Sequence, residues 1–383
     1  MNEPLDRLLD RLAAMPDLDS AGVDARCRAA LDWQPVAAPP LVSSFPMPES
    51  TGFDPFPHRE ALADPKKMLF NELVRAFDAS IVLRDQVDDD LPLTIRANYG
   101  TVLIASMFGA PVSQTDDNPP WVTHAGEDGI DLEQIAAIDP LDLSRGWIPR
   151  AVETMGIYHD LLGRYPELSD RVRIVLPDLQ GPFDNLELIR GSGVLLELLT
   201  EPDAVSDALH TLATAQVALA RHFGQWTTEP ANGYSHQHGV MIKGNILLRN
   251  DTCIMVSPEM YRGQIAPHDE RVLRELGGGG IHSCGNIGHL VDEYLALPSV
   301  RSLDLGQSEM NDMALIYQKA AASRVPLIRV AVSAAELTTG EASRRYPTGA
   351  MLIHRAGDLA TAGTASRSHR SLATTASPLS SEP

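Results

Sequence analysis

The sequence predicts a (β/α)8 barrel of the TIM type, preceded by a helical extension and followed by a disordered tail. From about residue 52, short apolar runs alternate with longer amphipathic ones, which is typical of successive βα units. The 383 residues leave room for a barrel of ~250 residues and its extensions. A doubly wound sheet fits the same alternation, but no GxGxxG follows an early strand, so the barrel is preferred on strand count.

The chain divides into three segments at the sequence level. Residues 1–51 carry leucines at helical spacing, a second short helix over Val23 to Trp33 and a proline-rich linker, Gln34 to Glu49. Residues 52–356 form the expected barrel. The candidate strands are Ser80 to Arg84, Val102 to Ser106, Val172 to Leu176, Gly239 to Ile242, Gly280 to Ser283, Val300 to Leu303, Pro326 to Val330 and Met351 to Ile353.

The last segment, residues 357–383, is predicted to be disordered. Serine, threonine and alanine dominate it, and three leucines are its only large apolar residues. Such a composition buries too little surface to offset the entropy lost on ordering.

Composition excludes several classes of partner. The formal net charge of −20 disfavours nucleic acid and anionic lipid. No apolar stretch approaches the ~20 residues of a membrane span, and the charged first segment lacks the apolar core of a secretory signal. Three scattered cysteines indicate a reducing compartment rather than a disulfide framework. We therefore expect a cytoplasmic protein that acts on a small molecule.

The run GGGGIHSCGN places His282 and Cys284 two residues apart at the end of a predicted strand. Alternate residues of a strand face the same side, so the imidazole and the thiolate are able to hold one zinc ion. Catalytic zinc needs a third protein ligand, for which Asp304 is the first candidate, with Glu309, His238 and His354 as rivals. The alternative is a glycine-flanked turn with an ordinary buried histidine and an inert thiol.

Six further residues are candidates for substrate binding, each with an ordinary structural alternative. They are Arg96, Asn98, Tyr99, Gln180, His236 and His238. In TIRANYG, Arg96 and Asn98 share one face of an extended segment and are suited to a carboxylate. Pairing of Arg96 with the acidic run 88–90 is equally compatible with the sequence. The two histidines form another same-face pair in SHQHGV, a pattern that also suits a polar loop.

Five segments in order resemble the barrel elements of uroporphyrinogen decarboxylase-like proteins. These are LPDLQGPFDNLELIRG, RNDTCIMVSPEMY, GGGGIHSCGN, LDLGQSEMND and RYPTGAMLIHRA, and the resemblance spans roughly Met68 to Ala356. It implies a TIM barrel with a deep cleft at its C-terminal mouth. It also implies that Asp251 lies near that cleft as a candidate catalytic residue, although an aspartate in a loop often only caps backbone amides.

One branch of this superfamily is similar in its metal motif. In methylcobamide:thiol methyltransferases an HxC pair and a later cysteine hold the zinc that activates a thiol for attack on a corrinoid methyl group. His282 and Cys284 match the first two ligands, but no cysteine follows Cys284, so Asp304 is required as a substitute. The resemblance therefore implies methyl transfer to a thiol, with zinc as cofactor, a corrinoid as co-substrate and a corrinoid protein as possible partner.

The other branch implies cofactor-independent decarboxylation of a tetrapyrrole. The stretch FDASIVLRDQV resembles the strand that delivers the catalytic aspartate, which places Asp85 in that role. The arginine-rich signature that grips the substrate carboxylates is absent, which argues against uroporphyrinogen itself. A third hypothesis, a non-catalytic barrel that binds a corrinoid or another small molecule, follows from the missing cysteine.

Overall fold

The computed structural model describes residues 3–16, 20–48, 51–75, 81–123, 129–237 and 239–375. They form a mixed α/β fold around a parallel sheet. The strands are β1 (Leu41–Ser44), β2 (Thr94–Ile95), β3 (Val112–Ser113), β4 (Trp121–Val122), β5 (Arg173–Ile174), β6 (Tyr234–Gln237), β7 (Val240–Lys243), β8 (Leu247–Arg249), β9 (Gly279–Ser283), β10 (Val300–Leu305), β11 (Leu327–Ala331) and β12 (Ala350–Arg355).

Helices surround these strands. They are α1 (Glu3–Ala13), α2 (Ser20–Leu31), α3 (His58–Ala63), α4 (Pro65–Val74), α5 (Leu103–Met107), α6 (Leu132–Ala137), α7 (Ile148–Leu162), α8 (Pro166–Ser169), α9 (Pro182–Arg190), α10 (Val194–Thr200), α11 (Pro202–Gly224), α12 (Pro258–Met260), α13 (Ala266–Glu275), α14 (Val291–Ala296), α15 (Met313–Ser323), α16 (Ala334–Thr338), α17 (Glu341–Arg345) and α18 (Leu359–Thr375). Short 3-10 helices cover Arg84–Gln86, Thr252–Met255 and Ser308–Met310, and Tyr261–Ile265 is a π-helical turn. Among the described residues, no helix has both the length and the apolar character that a membrane crossing requires.

Six parallel strands form the central sheet, in the order β1, β12, β11, β10, β9, β8. A second parallel pair joins β2 to β5. Within the described part of the chain these ladders do not close into a ring. Single backbone hydrogen bonds link the two sheets at both edges, from the Asp90 amide to the Leu41 carbonyl (2.7 Å) and from the Gly181 amide to the Arg249 carbonyl (2.8 Å). A closed barrel stays a prediction.

Five of the predicted strands coincide with observed ones to within a few residues. They are the runs that become β5, β9, β10, β11 and β12. Four of these five occupy adjacent positions in the central sheet, where both faces are covered and continuous apolar runs are expected.

Two predicted strands are wrong. The described part of Ser80 to Arg84 is a turn leading into a 3-10 helix, and Val102 to Ser106 lies in and beside the helix α5. The Ser106 amide donates to the Val102 carbonyl at 2.8 Å, as in a helical turn. The segment is buried on every side, so its apolar run has no periodicity that separates a helix from a strand.

A hairpin replaces the strand predicted over Gly239 to Ile242. β7 covers most of that range but pairs antiparallel with β6 instead of joining the parallel sheet. Its apolar side chains pack with α2 against one end of the central sheet. The members of this cluster are Val23, Cys27, Leu31, Val42, Leu91, Val240, Met241, Ile242, Leu247, Ile328 and Met351. The sheet residues among them lie toward the amino ends of their strands, so the carboxyl ends are left for polar side chains.

Both chain ends contribute to the fold more than the sequence predicts. The linker Gln34 to Glu49 contains β1, which pairs with β12. The tail predicted to be disordered forms α18 as far as Thr375. Small residues make this helix, because alanine has the highest helix propensity and a stripe of alanine and serine packs closely without large side chains. Ser366 Oγ lies 3.0 Å from Ser43 Oγ of β1, and His369 Nε2 lies 2.9 Å from the Pro39 carbonyl oxygen.

Substituting Ala365 with aspartate tests whether α18 is an integral part of the fold. Ala365 is 2% exposed, so Ala365→Asp buries a carboxyl group against packed neighbours. We expect the free energy of unfolding to fall by about 2 to 4 kcal/mol in urea denaturation. The same change at the exposed Ala360 is the control, with an expected effect within about 0.5 kcal/mol. Equal stability of the two variants would contradict the packing of this helix.

Candidate metal centre

A nitrogen, a sulfur and an oxygen donor converge at the carboxyl ends of β8 and β9. His282 lies on β9, Cys284 directly follows that strand, and Asp251 lies two residues after β8. His282 Nε2 is 3.6 Å from Cys284 Sγ and 3.5 Å from Asp251 Oδ1. One donor atom from each of the three residues lies within 4.8 Å of the others. Imidazole, thiolate and carboxylate are the ligands of zinc sites, so this group is able to hold such an ion.

The loop that carries Asp251 is fixed by hydrogen bonds to two elements. Both carboxylate oxygens of Asp184, on α9, accept backbone amides, from Asp251 at 2.8 Å and from Thr252 at 2.9 Å. Asp251 Oδ1 in turn accepts the backbone amide of Cys284 at 2.6 Å. Burial, reinforced by the nearby Asp251 carboxylate, raises the pKa of Asp184 to about 8, although the two amides act in the opposite direction. The donor group is therefore held by the backbone of its own loops.

Gly306, which follows β10, leaves room for the sulfur. A Cβ atom at this position would lie 2.6 Å from Cys284 Sγ and 2.9 Å from His282 Cε1, closer than real Cβ contacts. Burial, followed by the Asp251 carboxylate, raises the pKa of the Cys284 thiol to about 12. A thiolate at this position therefore needs a positive charge beside it, which a bound metal ion supplies.

Asp304 lies at the other nitrogen of the His282 ring. Its Oδ2 is 3.1 Å from His282 Nδ1, on the opposite side of the ring from Cys284, and its side chain is fully buried. Arg329 donates to both Asp304 oxygens, at 2.6 Å and 2.9 Å. Arg329 Nη2 also lies 2.8 Å from Nδ1, so Nδ1 has a carboxylate acceptor and a guanidinium donor within reach. In the ring form whose Nδ1 proton is donated to Asp304, the Nε2 lone pair faces Cys284 and Asp251. The structure thus brings Asp251, rather than Asp304, together with the histidine and the cysteine.

Arg329 holds an uncommon backbone conformation. Its φ of 58° is left-handed, and the pairing of β11 with β12 shifts register around it, between Leu327 and Val330. A left-handed arginine inside a strand is strained and persists only where its surroundings impose it. The forked contact with Asp304 is one such restraint.

A second buried ion pair lies beside the first. Arg249 of β8 is the register partner of His282, and it donates to Asp178 Oδ1 at 2.5 Å and to Gln237 Oε1 at 3.3 Å. Burial lowers the pKa of Arg249 to about 10, while the Asp178 carboxylate opposes this shift. Gln180, a predicted substrate ligand, donates its side-chain amide to the same Asp178 oxygen at 2.6 Å.

The remaining predicted residues are dispersed. Asp85 forms an ion pair with Arg11 of α1 at 3.3 Å, and the Tyr99 hydroxyl is buried 2.8 Å from Thr154 Oγ1. His236 contacts Glu229 at 2.8 Å, which fits the ordinary structural role, and His238 lies outside the described residues. The other candidates for the third metal ligand have other partners. His354 Nδ1 is 3.0 Å from a backbone carbonyl oxygen, and Glu309 pairs with Arg355.

A cavity of about 650 Å³ lies at the end of β2 and β5. Arg96 and Asn98, two of the predicted substrate ligands, line it together with Asp178. Asp178 therefore belongs both to the cavity wall and to the ion pair beside His282.

Sequence reasoning missed the residues that hold the donor group in place. These are Asp178, Asp184, Arg249, Gly306 and Arg329. Each lies in or beside a segment that the sequence analysis quoted or predicted as a strand, but only the paired register of β8, β9 and β10 shows which side chains meet.

The chain shares its fold with a known methyltransferase. A methyltransferase from Methanosarcina mazei superposes with a TM-score of 0.63, covering 92% of this chain and 98% of that one at 17% sequence identity. At this identity the likeness concerns the fold alone. No protein-family model matches the sequence, and neither does any curated protein.

The hydrogen bonds between Asp269 and the residues beside the Asp251 loop predict that the stability of the protein depends on pH. Asn250 Nδ2 and the Tyr261 hydroxyl donate to Asp269 Oδ2 at 2.5 Å and 2.8 Å, and burial raises the pKa of this fully buried carboxyl to about 7. In the unfolded chain an aspartate titrates near pH ~3.9. The folded state therefore retains a proton that the unfolded state has lost, so stability falls as pH rises from about 4 to about 7.

Asp269→Asn removes that titration and leaves the shape of the side chain nearly unchanged. Relative to wild type, we expect the free energy of unfolding of the variant to improve as pH rises from about 5 to about 7, by at most about 1.4 kcal/mol per pH unit. Urea denaturation across this range measures the effect, with Asp117→Asn in an exposed loop as the matched control. A constant difference between variant and wild type would contradict the assignment.

Proposed function

We propose that this protein is a metal-assisted methyltransferase in which Asp251, His282 and Cys284 hold zinc and a thiol is the methyl acceptor. The observation that carries the proposal is the convergence of these three donors at the carboxyl ends of β8 and β9. The shared fold with a methyltransferase supports it. The (β/α)8 barrel, its cytoplasmic location, the corrinoid methyl donor and a corrinoid-protein partner are further parts of this proposal, as the sequence resemblance implies.

The residues present fit a zinc ion. Three different donor atoms face one point, and Gly306 keeps the space beside the sulfur open. When bound, zinc supplies the positive charge that lowers the pKa of a coordinated thiol. Three protein ligands leave a fourth position for the acceptor, as catalytic zinc sites require.

In this proposal the chain's own groups set the geometry. Asp251 takes the third-ligand position that the sequence analysis assigned to Asp304. Asp304 becomes the hydrogen-bond acceptor of His282 Nδ1 and selects the ring form whose Nε2 faces the metal position. Arg329 holds the Asp304 carboxylate in place through two hydrogen bonds.

The alternatives from the sequence have less support. Tetrapyrrole decarboxylation assigned a catalytic role to Asp85, whose ion-pair partner in the described structure is Arg11. A non-catalytic barrel is compatible with the fold, and a measured turnover would exclude it.

Metal analysis of the purified protein tests the proposal. We expect about one equivalent of zinc in the wild type and its loss in a His282→Ala, Cys284→Ala double variant, because two of three ligands are removed. His289→Ala, a nearby histidine that contacts the Val256 carbonyl, is the matched control and should retain the zinc. Demethylation of methylcobalamin by 2-mercaptoethanol, followed by absorbance, then reports transfer. Equal zinc content in wild type and double variant would falsify the metal site.

Gly306→Ala tests the space beside the sulfur without removing a ligand. The added methyl group would lie where Cys284 Sγ and the His282 ring approach, so we expect zinc affinity to fall by about 10 to 100-fold. A competition titration with a zinc-binding dye measures this. Gly224→Ala, where a Cβ meets nothing within 4 Å, is the control. Unchanged affinity in Gly306→Ala would place the metal elsewhere.

A further inference from the structure

The cavity beside β2 and β5 combines charged and polar groups with an apolar wall. Its volume of about 650 Å³ lies in the range of small-molecule pockets. Phe56, Leu62 and Met68 line it, together with prolines at 55, 119 and 120. The polar part of the wall consists of His58, Asn71, Glu72, Arg75, Arg96, Asn98, Thr101 and Asp178. Of the two arginines, Arg75 is exposed and Arg96 is half-buried.

The Arg96 guanidinium has unused hydrogen-bonding capacity. An arginine side chain carries five N–H donors. Within the described residues, its one side-chain hydrogen bond is from Nη2 to Asn98 Oδ1, and at 3.3 Å this bond is long. Nη1 is buried with no hydrogen-bond acceptor there, and it lies 3.6 Å from Asp178 Oδ2. A buried donor without an acceptor is unfavourable, and a turn of the guanidinium toward a ligand acceptor in the cavity relieves this.

The two carboxylates of the cavity wall are already engaged by other groups. Asp178 accepts hydrogen bonds from Arg249 at 2.5 Å and from Gln180 at 2.6 Å. Glu72 accepts the Arg96 backbone amide at 3.3 Å and Asn98 Nδ2 at 2.8 Å, not the guanidinium. Arg96 therefore shares Asp178 with Arg249, and its own ion pair with that carboxylate, at 3.6 Å, is longer than a hydrogen bond.

We propose that this cavity binds a small organic acid, whose carboxylate accepts hydrogen bonds from the Arg96 guanidinium while its apolar part packs on Phe56, Leu62 and Met68. A carboxylate matches a guanidinium in charge and in planar geometry. The apolar wall favours an organic molecule over inorganic phosphate, which has no apolar part to bury.

The position of Asp178 connects this site to the metal centre. One of its oxygens faces Arg96 in the cavity, and the other is held by Arg249, the register neighbour of His282. A bound acid therefore lies one ion pair away from the strand that carries the proposed metal ligands. The idea that this acid is a substrate or methyl acceptor rests on the proposed function. The binding of the acid to the cavity does not.

Calorimetric titration of the full chain, stripped of metal with a chelator, tests the binding. The probes are butanoate, hexanoate and phenylacetate, each compared with its amide, and inorganic phosphate. We expect at least one acid to bind about tenfold or more tightly than its amide, a difference of ~1.4 kcal/mol. Arg96→Gln should abolish this preference, because an amide side chain cannot supply the charge. Arg59→Gln, whose side chain is 61% exposed and pairs with Asp116, is the matched control and should keep it.

A second variant keeps the charge and fills the space, in case Arg96→Gln is poorly folded. Thr101 lines the cavity and is half-buried, so Thr101→Phe should weaken acid and amide alike. Acids that bind no better than amides, a preference that survives Arg96→Gln, or phosphate that binds as tightly as the best acid would each overturn the proposal. Zinc content is measured on the same variants. If these proteins contain no zinc as purified, that result bears on the metal centre alone, because the acid titrations use metal-free protein.

Discussion

The parallel pairing of β8, β9 and β10 is the constraint on which the candidate site depends. Arg249 pairs with His282, and His282 pairs with Asp304, so three polar side chains stand side by side on one face of the sheet. A shift of one residue in either ladder would send the histidine to the opposite face. At the opposite end of the sheet, Leu247 of β8 belongs to the apolar cluster around β7, and Ser302 Oγ of β10 donates to the Lys243 carbonyl of β7 at 3.2 Å. These contacts restrain β8 and β10 away from the polar groups themselves.

Burying the charged side chains around His282 costs free energy, and their ion pairs and hydrogen bonds with one another offset part of that cost. Moving an ion from water into the interior costs several kcal/mol, and only well-placed partners offset this. Asp304 forms an ion pair with Arg329, and Asp178 forms one with Arg249. Each arginine also contacts a further side chain, the His282 ring for Arg329 and Gln237 for Arg249. Such an arrangement contributes little net stability. It does restrict the orientation of the histidine ring, and orientation is what a metal ligand needs.

The sequence predicted the convergence of His282 and Cys284 and four strands of the central sheet. The HxC spacing alone indicates that His282 and Cys284 converge, since it depends only on the two-residue period of a strand. Which carboxylate joins them depends on pairing between strands distant in sequence, so the sequence indicated Asp304 as the third ligand and Asp251 only as a residue near the cleft. Local composition also led to the wrong prediction of disorder for the segment that forms α18. Counting large apolar residues overlooked that alanines such as Ala362 and Ala365, both buried, form a packing surface.

The pairing of β1 with β12 gives the molecule an unusual order of assembly. The first strand of the central sheet lies near residue 41, and its only ladder partner in the described structure is found about three hundred positions later. During synthesis at the ribosome this strand therefore emerges long before its neighbour exists. Contacts of such large sequence separation slow folding and leave strand edges exposed in intermediates. The helix α18, which also packs on β1 through Ser43 and Ser366, follows β12 in the chain, so both neighbours of this early strand arrive late.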